Sequence, residues 1–267
     1  MSTPRTLTLG GATVRVFPDA RVASDAAADL IAEAVRDAVE ERGRAVLGLA
    51  TGGSPVAVYA RLVAMNRERD LSFRHVTTYN LDEYYPISPR DPNSYRTYMH
   101  RHLFAHVDLA ANRAHVLDGT VPEPSVADHA ADFDRWIAAD GGLDLQLLGI
   151  GRNGHIGFNE PAEIPVESAL ALPTRLTRLH PVTKADAARD FGGDESKVPD
   201  RALTVGVAPI LAARSILVLA FGLAKTDAVA GSLLGPMSAS MPGSLLQAAG
   251  DRVTWLLDEA AARGLYP

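Results

Sequence analysis

The sequence predicts an α/β fold in which helices cover both faces of a mainly parallel sheet. Helical patterns and short apolar runs alternate along the whole chain of 267 residues. The runs are continuously apolar, as in strands buried on both faces, and strands separated by helices favour parallel pairing. Hydrophobic residues make up 47% of the chain, enough for a packed core, and no repeat or linker divides it. We therefore expect one domain over residues 1–267.

The first half of the chain begins with an edge element and then alternates helices and strands. In chain order the predictions are an edge strand or hairpin over 7–17, a helix from Ser24 to about Glu41, a buried strand over 44–50, a turn over 51–55, a helix from Val56, a strand over 75–81 that ends at Asp82 and Glu83, and a helix over 94–104. Ser24 is the expected N-cap of the first helix, and Gly43 is its expected C-terminal stop.

The second half continues the alternation, with one exception. Its predicted elements are a helix over 127–139, a strand over 143–150, a strand over 215–221, a helix from about Lys225 and a last strand over 253–257. The interval from Pro161 to about Arg201 is long and only weakly patterned, which in a compact domain is typical of a lid. Ligands of such sheets bind at the carboxyl ends of the strands, so the chemistry is expected there.

Composition excludes several classes of function. The chain has no cysteine, which excludes disulfides, thiolate metal sites, iron–sulfur clusters and a cysteine nucleophile. A net charge of −6 without any basic run makes nucleic acid a poor partner. The first residues carry no signal-peptide pattern, and no apolar stretch approaches the ~18 residues of a membrane span. We therefore expect a cytoplasmic protein that does not bind membranes.

The turn after the strand 44–50 is a candidate phosphate-binding segment, formed by Thr51, Gly52, Gly53 and Ser54. Two glycines let the backbone approach a ligand closely, and the helix start behind them offers free N–H groups to an anion. The same residues also suit a plain strand-to-helix turn, and this segment alone leaves both interpretations open.

Two adjacent carboxylates, Asp82 and Glu83, end the strand 75–81. A carboxylate at a strand end can point into the cleft and act as a general base. A solvated loop carboxylate or a helix cap is the alternative interpretation. Neighbouring residues cannot both face the same way, so at most one of the two is expected to be the base.

The most informative run is GIGRNGHIGFNEP, over 149–161. Its glycines free the backbone around His155, and Glu160 lies where it can accept a hydrogen bond from the imidazole. A carboxylate–histidine pair sets the tautomer and basicity of the ring, as an acid/base histidine requires. A packed or exposed histidine is the alternative. No second histidine is spaced for a metal, so we expect no metal site.

Two cations complete the candidate site. Lys225 follows the strand 215–221 and is one of only three lysines in the chain, and Arg189 lies in the predicted lid. Each can complement a phosphate held at Gly52 and Gly53. Taken singly, each is also compatible with an ordinary surface charge.

Several segments together closely resemble the glucosamine-6-phosphate deaminase family. They are LATGGSP, YNLDEYY, DPNSYRTYMHRHLF, GIGRNGHIGFNEP, ALTVGVAPIL, FGLAKTDAV and PGSLLQ, which occur in that order and span about Arg44 to Gln247. The resemblance implies a Rossmann-like fold with a mobile lid over about 162–190. It also implies a reaction of amino-sugar catabolism without cofactor or metal, in which glucosamine 6-phosphate and water become fructose 6-phosphate and ammonia. A homo-oligomer is compatible with it.

The resemblance also assigns roles by motif position. Asp82 would be the proton-transfer base, His155 would act in opening the sugar ring, and Glu160 would belong to the histidine's relay. The substrate's phosphate would contact Thr51, Gly52, Gly53, Ser54, Arg189 and Lys225.

Two positions depart from the family pattern. Asn153 stands where many members have an aspartate, so this side chain can orient His155 but cannot place a charge beside it. Arg175 matches a position that some members use to bind an acetylated sugar phosphate between subunits, but Thr177 stands where a lysine is expected. We therefore expect allosteric activation to be absent or weak.

The sequence has three alternative functions to consider beside this one: a lactonase, a deaminase for an epimeric sugar and a regulator. A 6-phosphogluconolactonase is expected to have an arginine after Asp-Glu and no FNEP, and Tyr84 and the run 158–161 argue against it. A deaminase for the epimer galactosamine 6-phosphate is not excluded. A sugar-phosphate-sensing regulator would need a DNA-binding helix-turn-helix, whereas the residues before Arg44 leave room for one strand region and one helix.

Overall fold

The computed structural model describes residues 4–266. Its strands are β1 (Arg5–Leu9), β2 (Ala12–Phe17), β3 (Ala45–Leu49), β4 (Val76–Asn80), β5 (Asp82–Tyr85), β6 (Ala114–His115), β7 (Leu145–Gly149), β8 (Arg175–Arg178), β9 (Arg201–Thr204), β10 (Ser215–Ala220) and β11 (Val253–Asp258). Its α-helices are α1 (Ala20–Arg42), α2 (Val56–Arg67), α3 (Tyr95–His102), α4 (Val126–Ala139), α5 (Val166–Leu170), α6 (Pro181–Ala187), α7 (Val207–Leu211) and α8 (Thr226–Leu234).

The main sheet has eight strands in the order β1-β2-β11-β10-β7-β3-β4-β6. Only the β1–β2 hairpin at one edge is antiparallel, and every other neighbouring pair is parallel. All five residues of β3 and five of the six in β10 are buried, so both faces of the central strands are covered. The predicted fold class is confirmed.

The order of the central strands creates the cleft. From β3 the chain continues to β4 on one side, and it returns later to β7 on the other side of β3. Loops at the carboxyl ends of β3 and β7 therefore run in opposite directions, and the gap between them is where open α/β sheets bind ligands. The glycine turn follows β3, and the segment with His155 follows β7.

The first helix begins earlier than predicted. Asp19 is the N-cap of α1, and its carboxylate accepts a hydrogen bond from the Val22 amide at 2.9 Å. Ser24 lies inside the helix, where its hydroxyl donates to the Ala20 carbonyl at 2.7 Å, so the prediction of Ser24 as the cap is wrong. The C-terminal stop is confirmed, because Gly43 takes the left-handed conformation with φ of 71°.

A second sheet, β5-β9-β8, is antiparallel and was not predicted. Asp82 and Glu83 are the first residues of β5 and do not end the strand before it. The interval 161–201, whose sequence is only weakly patterned, contains α5, β8 and α6. A small apolar cluster that includes Tyr84, Phe158 and Phe191 packs part of this interval against β5.

Within residues 4–266, none of the helices combines the length and hydropathy needed to cross a bilayer.

Candidate active site

The sequence-predicted residues converge on one cavity of about 190 Å³ at the carboxyl ends of the central strands. Five segments contribute most of the polar groups that line it: the turn after β3, the start of β5, the loop after β7, the segment 183–190 and the residues that precede α8. The predicted residues in the lining are Thr51, Gly52, Gly53, Ser54, Asp82, His155, Arg189 and Lys225. Asn153 and Glu160 lie behind His155 and do not line the cavity.

The glycine turn presents backbone to this cavity. Gly52 has a φ of 96°, a conformation that side chains other than glycine rarely adopt, and its carbonyl accepts a hydrogen bond from the Tyr98 hydroxyl at 2.7 Å. Pro55 at the start of α2 provides no side-chain cap. The first amides of α2 are therefore left without a capping side chain, which suits an anionic group of a ligand.

Asp82 is a buried carboxylate without a full set of partners. Its side chain is among the buried polar groups, and its Oδ1 has no hydrogen-bond partner within the described chain. Burial raises the pKa of Asp82 to about 8, the charge of Glu83 adds to the rise, and the Thr51 hydroxyl opposes it. A carboxyl group with this pKa can both lose and regain a proton near neutral pH.

Glu83 makes different contacts from its neighbour Asp82. Its carboxylate accepts hydrogen bonds from the Ser94 hydroxyl at 2.6 Å and from the amides of Tyr95 and Arg96 at 2.9 and 3.1 Å. It therefore binds the N-terminus of α3, and it does not line the cavity. Of the two adjacent carboxylates, only Asp82 faces the site, as expected for neighbours on a strand.

His155 is held by polar contacts on one ring nitrogen. Its Nδ1 lies 2.7 Å from Asn153 Oδ1, 3.1 Å from the Thr183 hydroxyl and 3.4 Å from Glu160 Oε2. Within residues 4–266, Nε2 has no hydrogen-bond partner. The ring also packs over Gly151, where a Cβ atom would lie 2.2 Å from the imidazole. Position 151 must therefore be a glycine, because any side chain there would collide with the His155 ring.

Asn153 and Glu160 form a chain behind the imidazole. The Asn153 amide donates to Glu160 Oε2 at 3.1 Å, and the His180 amide donates to Glu160 Oε1 at 3.2 Å. Burial favours a higher pKa for Glu160, but hydrogen bonds from His155, Thr183 and Asn153 outweigh it, so the pKa lies below the ordinary value. Glu160 is therefore an anion at neutral pH.

One end of the cavity is lined by charged side chains of both signs. Lys225 precedes α8 and is half-buried, and burial lowers its pKa. Arg189 is exposed, with its Nε 3.2 Å from Asp190 Oδ1. Asp186 and Asp190 also line this end, so the lining contains two cations and two carboxylates.

An aromatic wall closes one side of the cavity. The Tyr95 and Phe158 rings stack with centroids 6.0 Å apart, and the Tyr84 ring lies 4.9 Å from that of Tyr95. Phe191, which follows Arg189 closely in sequence, contacts Tyr84 edge-on at 5.4 Å. These contacts place the end of the predicted lid against β5.

Sequence reasoning missed several residues of the site. Thr183, Asp186 and Asp190 come from the weakly patterned interval, and nothing in their local sequence indicated a cavity. Arg152 was also not singled out, although it adjoins Asn153.

Among the described residues, no group of three or more histidine and carboxylate side chains is arranged to hold a metal ion.

Comparison with known proteins identifies a family and a set of relatives. A family model described as glucosamine-6-phosphate isomerases/6-phosphogluconolactonase matches residues 18–255. A glucosamine-6-phosphate deaminase of Bacillus velezensis is 46% identical, with 90% of this chain and 95% of the relative covered. One of Rhodopirellula baltica is 44% identical, with 93% and 94% covered.

Solved structures agree with this comparison. A monomeric glucosamine-6-phosphate deaminase superposes with a TM-score of 0.86 at 37% identity, covering 94% of this chain and 99% of that one. The 6-phosphogluconolactonase of Trypanosoma brucei superposes with a TM-score of 0.76 at 19% identity, covering 95% and 98%. At 19% identity this comparison shows a shared fold and gives no information about function.

Proposed function

Because the chain belongs to the family of glucosamine-6-phosphate isomerases and 6-phosphogluconolactonases, we propose that it converts glucosamine 6-phosphate and water into fructose 6-phosphate and ammonia. The curated relatives that cover most of the chain carry the deaminase name. The observation that carries the proposal is that Asp82 and His155 line one cavity together with the glycine turn and Lys225. The reaction needs two proton-transfer groups near adjacent carbons and an anchor for the phosphate.

The phosphate would bind between the glycine turn and the cations. The uncapped start of α2 offers amide donors, and Thr51 and Ser54 add hydroxyls. Lys225 and Arg189, which line the same cavity, would each add a positive charge. Binding energy from this remote group would hold the first two carbons of the sugar between the carboxylate and the imidazole.

His155 would open the sugar ring. Asn153 Oδ1 can only accept a hydrogen bond, so it favours the tautomer with a proton on Nδ1 and leaves Nε2 as the acceptor. Nε2 would take the proton of the C1 hydroxyl and return it to the ring oxygen as the C1–O5 bond breaks. Glu160 would stabilise the imidazolium formed between these two transfers, at 3.4 Å from Nδ1.

Asp82 would move a proton from C2 to C1. The C2 proton of the open sugar is acidic because it lies beside the aldehyde, and the ionised carboxylate would remove it to give an enol-type intermediate. The same group would then protonate C1, which leaves an imine at C2. Water adds to the imine and ammonia leaves. A pKa of about 8 lets one carboxyl group serve both steps.

The substrate's epimer is part of the proposal. Glucosamine 6-phosphate is preferred here because the relatives named above act, by their names, on the glucosamine form. A side-by-side assay of glucosamine 6-phosphate, galactosamine 6-phosphate and 6-phosphogluconolactone separates the proposal from its two alternatives. Faster turnover of either alternative would replace it.

The proposal extends to location and assembly. A sugar-phosphate substrate is consistent with an enzyme of the cytoplasm, where we place it, and cell fractionation tests this. A homo-oligomer is compatible with this site, whose assigned residues converge within a single chain. Light scattering after size exclusion measures the oligomeric state.

The decisive experiment incubates the purified protein with glucosamine 6-phosphate and measures ammonia and fructose 6-phosphate together. Asp82→Asn should lower kcat by about 10²- to 10⁴-fold, the range for losing a general base, while inorganic phosphate still binds. Asp132→Asn, a carboxylate on α4 outside the cavity, is the matched control. A near-normal rate in Asp82→Asn would show that another group is the base.

A further inference from the structure

We propose that Arg152 determines affinity for the phosphorylated substrate by neutralising Asp186, although Arg152 itself does not line the cavity. This inference rests on the proposed function for the identity of the substrate. It concerns the phosphate end of the cavity, where a carboxylate lies in a position that would repel the ligand.

The geometry of the pair is bidentate. Arg152 lies in the loop after β7, and Asp186 lies on α6. The guanidinium Nε donates to Asp186 Oδ2 at 2.9 Å, and Nη2 donates to Oδ1 at 2.5 Å. Both carboxylate oxygens are therefore engaged by one planar group, the arrangement that arginine forms best with a carboxylate.

Asp186 lies at the charged end of the cavity, near Arg189 and Lys225. It lines that end together with Arg189 and Lys225, and its charge acts on Lys225, whose pKa it raises against the larger effect of burial. Asp190, the other carboxylate there, is already paired with Arg189. An unpaired Asp186 would thus add a negative charge next to the groups that are to hold a phosphate.

This end of the cavity carries a net positive charge only when Arg152 is included. Arg189 and Lys225 alone are matched by Asp186 and Asp190, which leaves no net positive charge for an anion. With Arg152 added, the five side chains carry one net positive charge. An electrostatic field that favours a phosphate therefore requires a residue outside the lining.

A role in stability is a weaker explanation of the pair. The side chains of Arg152 and Asp186 are 47% and 41% exposed, and ion pairs this exposed contribute little to folding. Arg152→Ala is therefore expected to fold. The same α6 also carries Thr183, which contacts His155, so a pair that merely held this helix in place would affect kcat.

The test compares four proteins: the wild type, Arg152→Ala, Asp186→Asn and the double variant. Arg152→Ala should raise KM for glucosamine 6-phosphate by about 5- to 20-fold, as expected for a bare charge near a phosphate, with kcat within about twofold. Asp186→Asn in that background should return KM close to the wild-type value. Arg135→Ala, which breaks an exposed pair with Asp132 on α4, is the matched control and should change neither constant.

Three results would overturn the inference. An unchanged KM in Arg152→Ala would mean that Asp186 does not repel the ligand. A double variant with KM as high as that of Arg152→Ala would mean that Arg152 binds the phosphate itself. A fall in kcat in both Arg152→Ala and the double variant would mean that the ion pair holds α6 in place.

The inference can be judged even if the proposed function fails. If the wild type does not turn over glucosamine 6-phosphate, calorimetry with inorganic phosphate replaces KM. The same pattern of weakened binding in Arg152→Ala and recovery in the double variant is expected. Its absence would reject the role of Arg152 independently of the reaction.

Discussion

The imidazole Nδ1 of His155 lies 2.7 Å from the side-chain oxygen of Asn153. The carboxylate that completes this chain, Glu160, is 0.7 Å further from the ring, at 3.4 Å. A neutral amide thus makes the short contact, and the anion acts behind it. From these distances we propose that Asn153 orients the ring and that Glu160 supplies the charge, a division of roles that the sequence left open.

Replacing Asn153 tests this division. Asn153→Ala removes the acceptor that fixes the ring tautomer, and we expect kcat to fall by about 10- to 100-fold with KM little changed. Asn153→Asp keeps an acceptor at the same place and should retain more activity than the alanine variant. Equal losses in the two variants would mean that the contact does not orient the ring. Steady-state kinetics on both provide the measurement.

The pH dependence of the rate should report Asp82. The free enzyme needs the ionised carboxylate, and its pKa of about 8 means that kcat/KM should rise with pH and level off above that value. The Thr51 hydroxyl lowers this pKa, so Thr51→Ala should move the midpoint to higher pH. A profile without an inflection between about pH 6 and about pH 9 would contradict the assignment.

Stability should depend on the same proton. The pKa of Asp82 is about 8 in the folded protein and about 4 in the unfolded chain, so the folded state binds the proton more tightly. The contribution of this bound proton to the free energy of unfolding is fully present below about pH 4 and is lost as the pH rises through about 8. Asp82→Asn should therefore stabilise the protein by at least about 1 kcal/mol at pH 9 and much less at pH 5. Urea unfolding at the two pH values measures the difference.

Activation by N-acetylglucosamine 6-phosphate should be absent or weak. Arg175, the matching residue, points its guanidinium inward, where it donates to Asn159 Oδ1 at 2.8 Å, and burial lowers its pKa. Thr177 supplies no charge beside it. We expect the added sugar phosphate to change the rate by less than about twofold. A strong shift from sigmoidal to hyperbolic kinetics would refute this.

Local sequence signals were sufficient for the elements that build the cleft. The apolar runs that became β3 and β7, and the glycines that follow each, are contiguous in sequence and needed no distant partner to be recognised. Their arrival at one edge of the sheet follows from parallel pairing. Asp82 and His155 could therefore be brought together before the structure was known.

Distant pairing explains what could not be predicted. The four residues of β8 are half-buried or exposed, without alternation, and the strand exists because β9 pairs with it. Asp19 and Ser24 are both good caps by type, and only the packing of α1 selects between them. Thr183 and Asp186 reach the cavity because α6 folds back over it, which no local pattern encodes.

Strand β9 joins Asp82, the proposed base, to the predicted lid. Thr204 lies opposite Asp82 on one side and opposite Arg175 on the other. If the whole segment 162–190 moved as a rigid body, either the hydrogen bonds between β8 and β9 would break or Asp82 would move with the segment. If this segment acts as a lid, its moving part should therefore begin beyond Arg178, so that the cavity can open while the Asp82 carboxylate keeps its position.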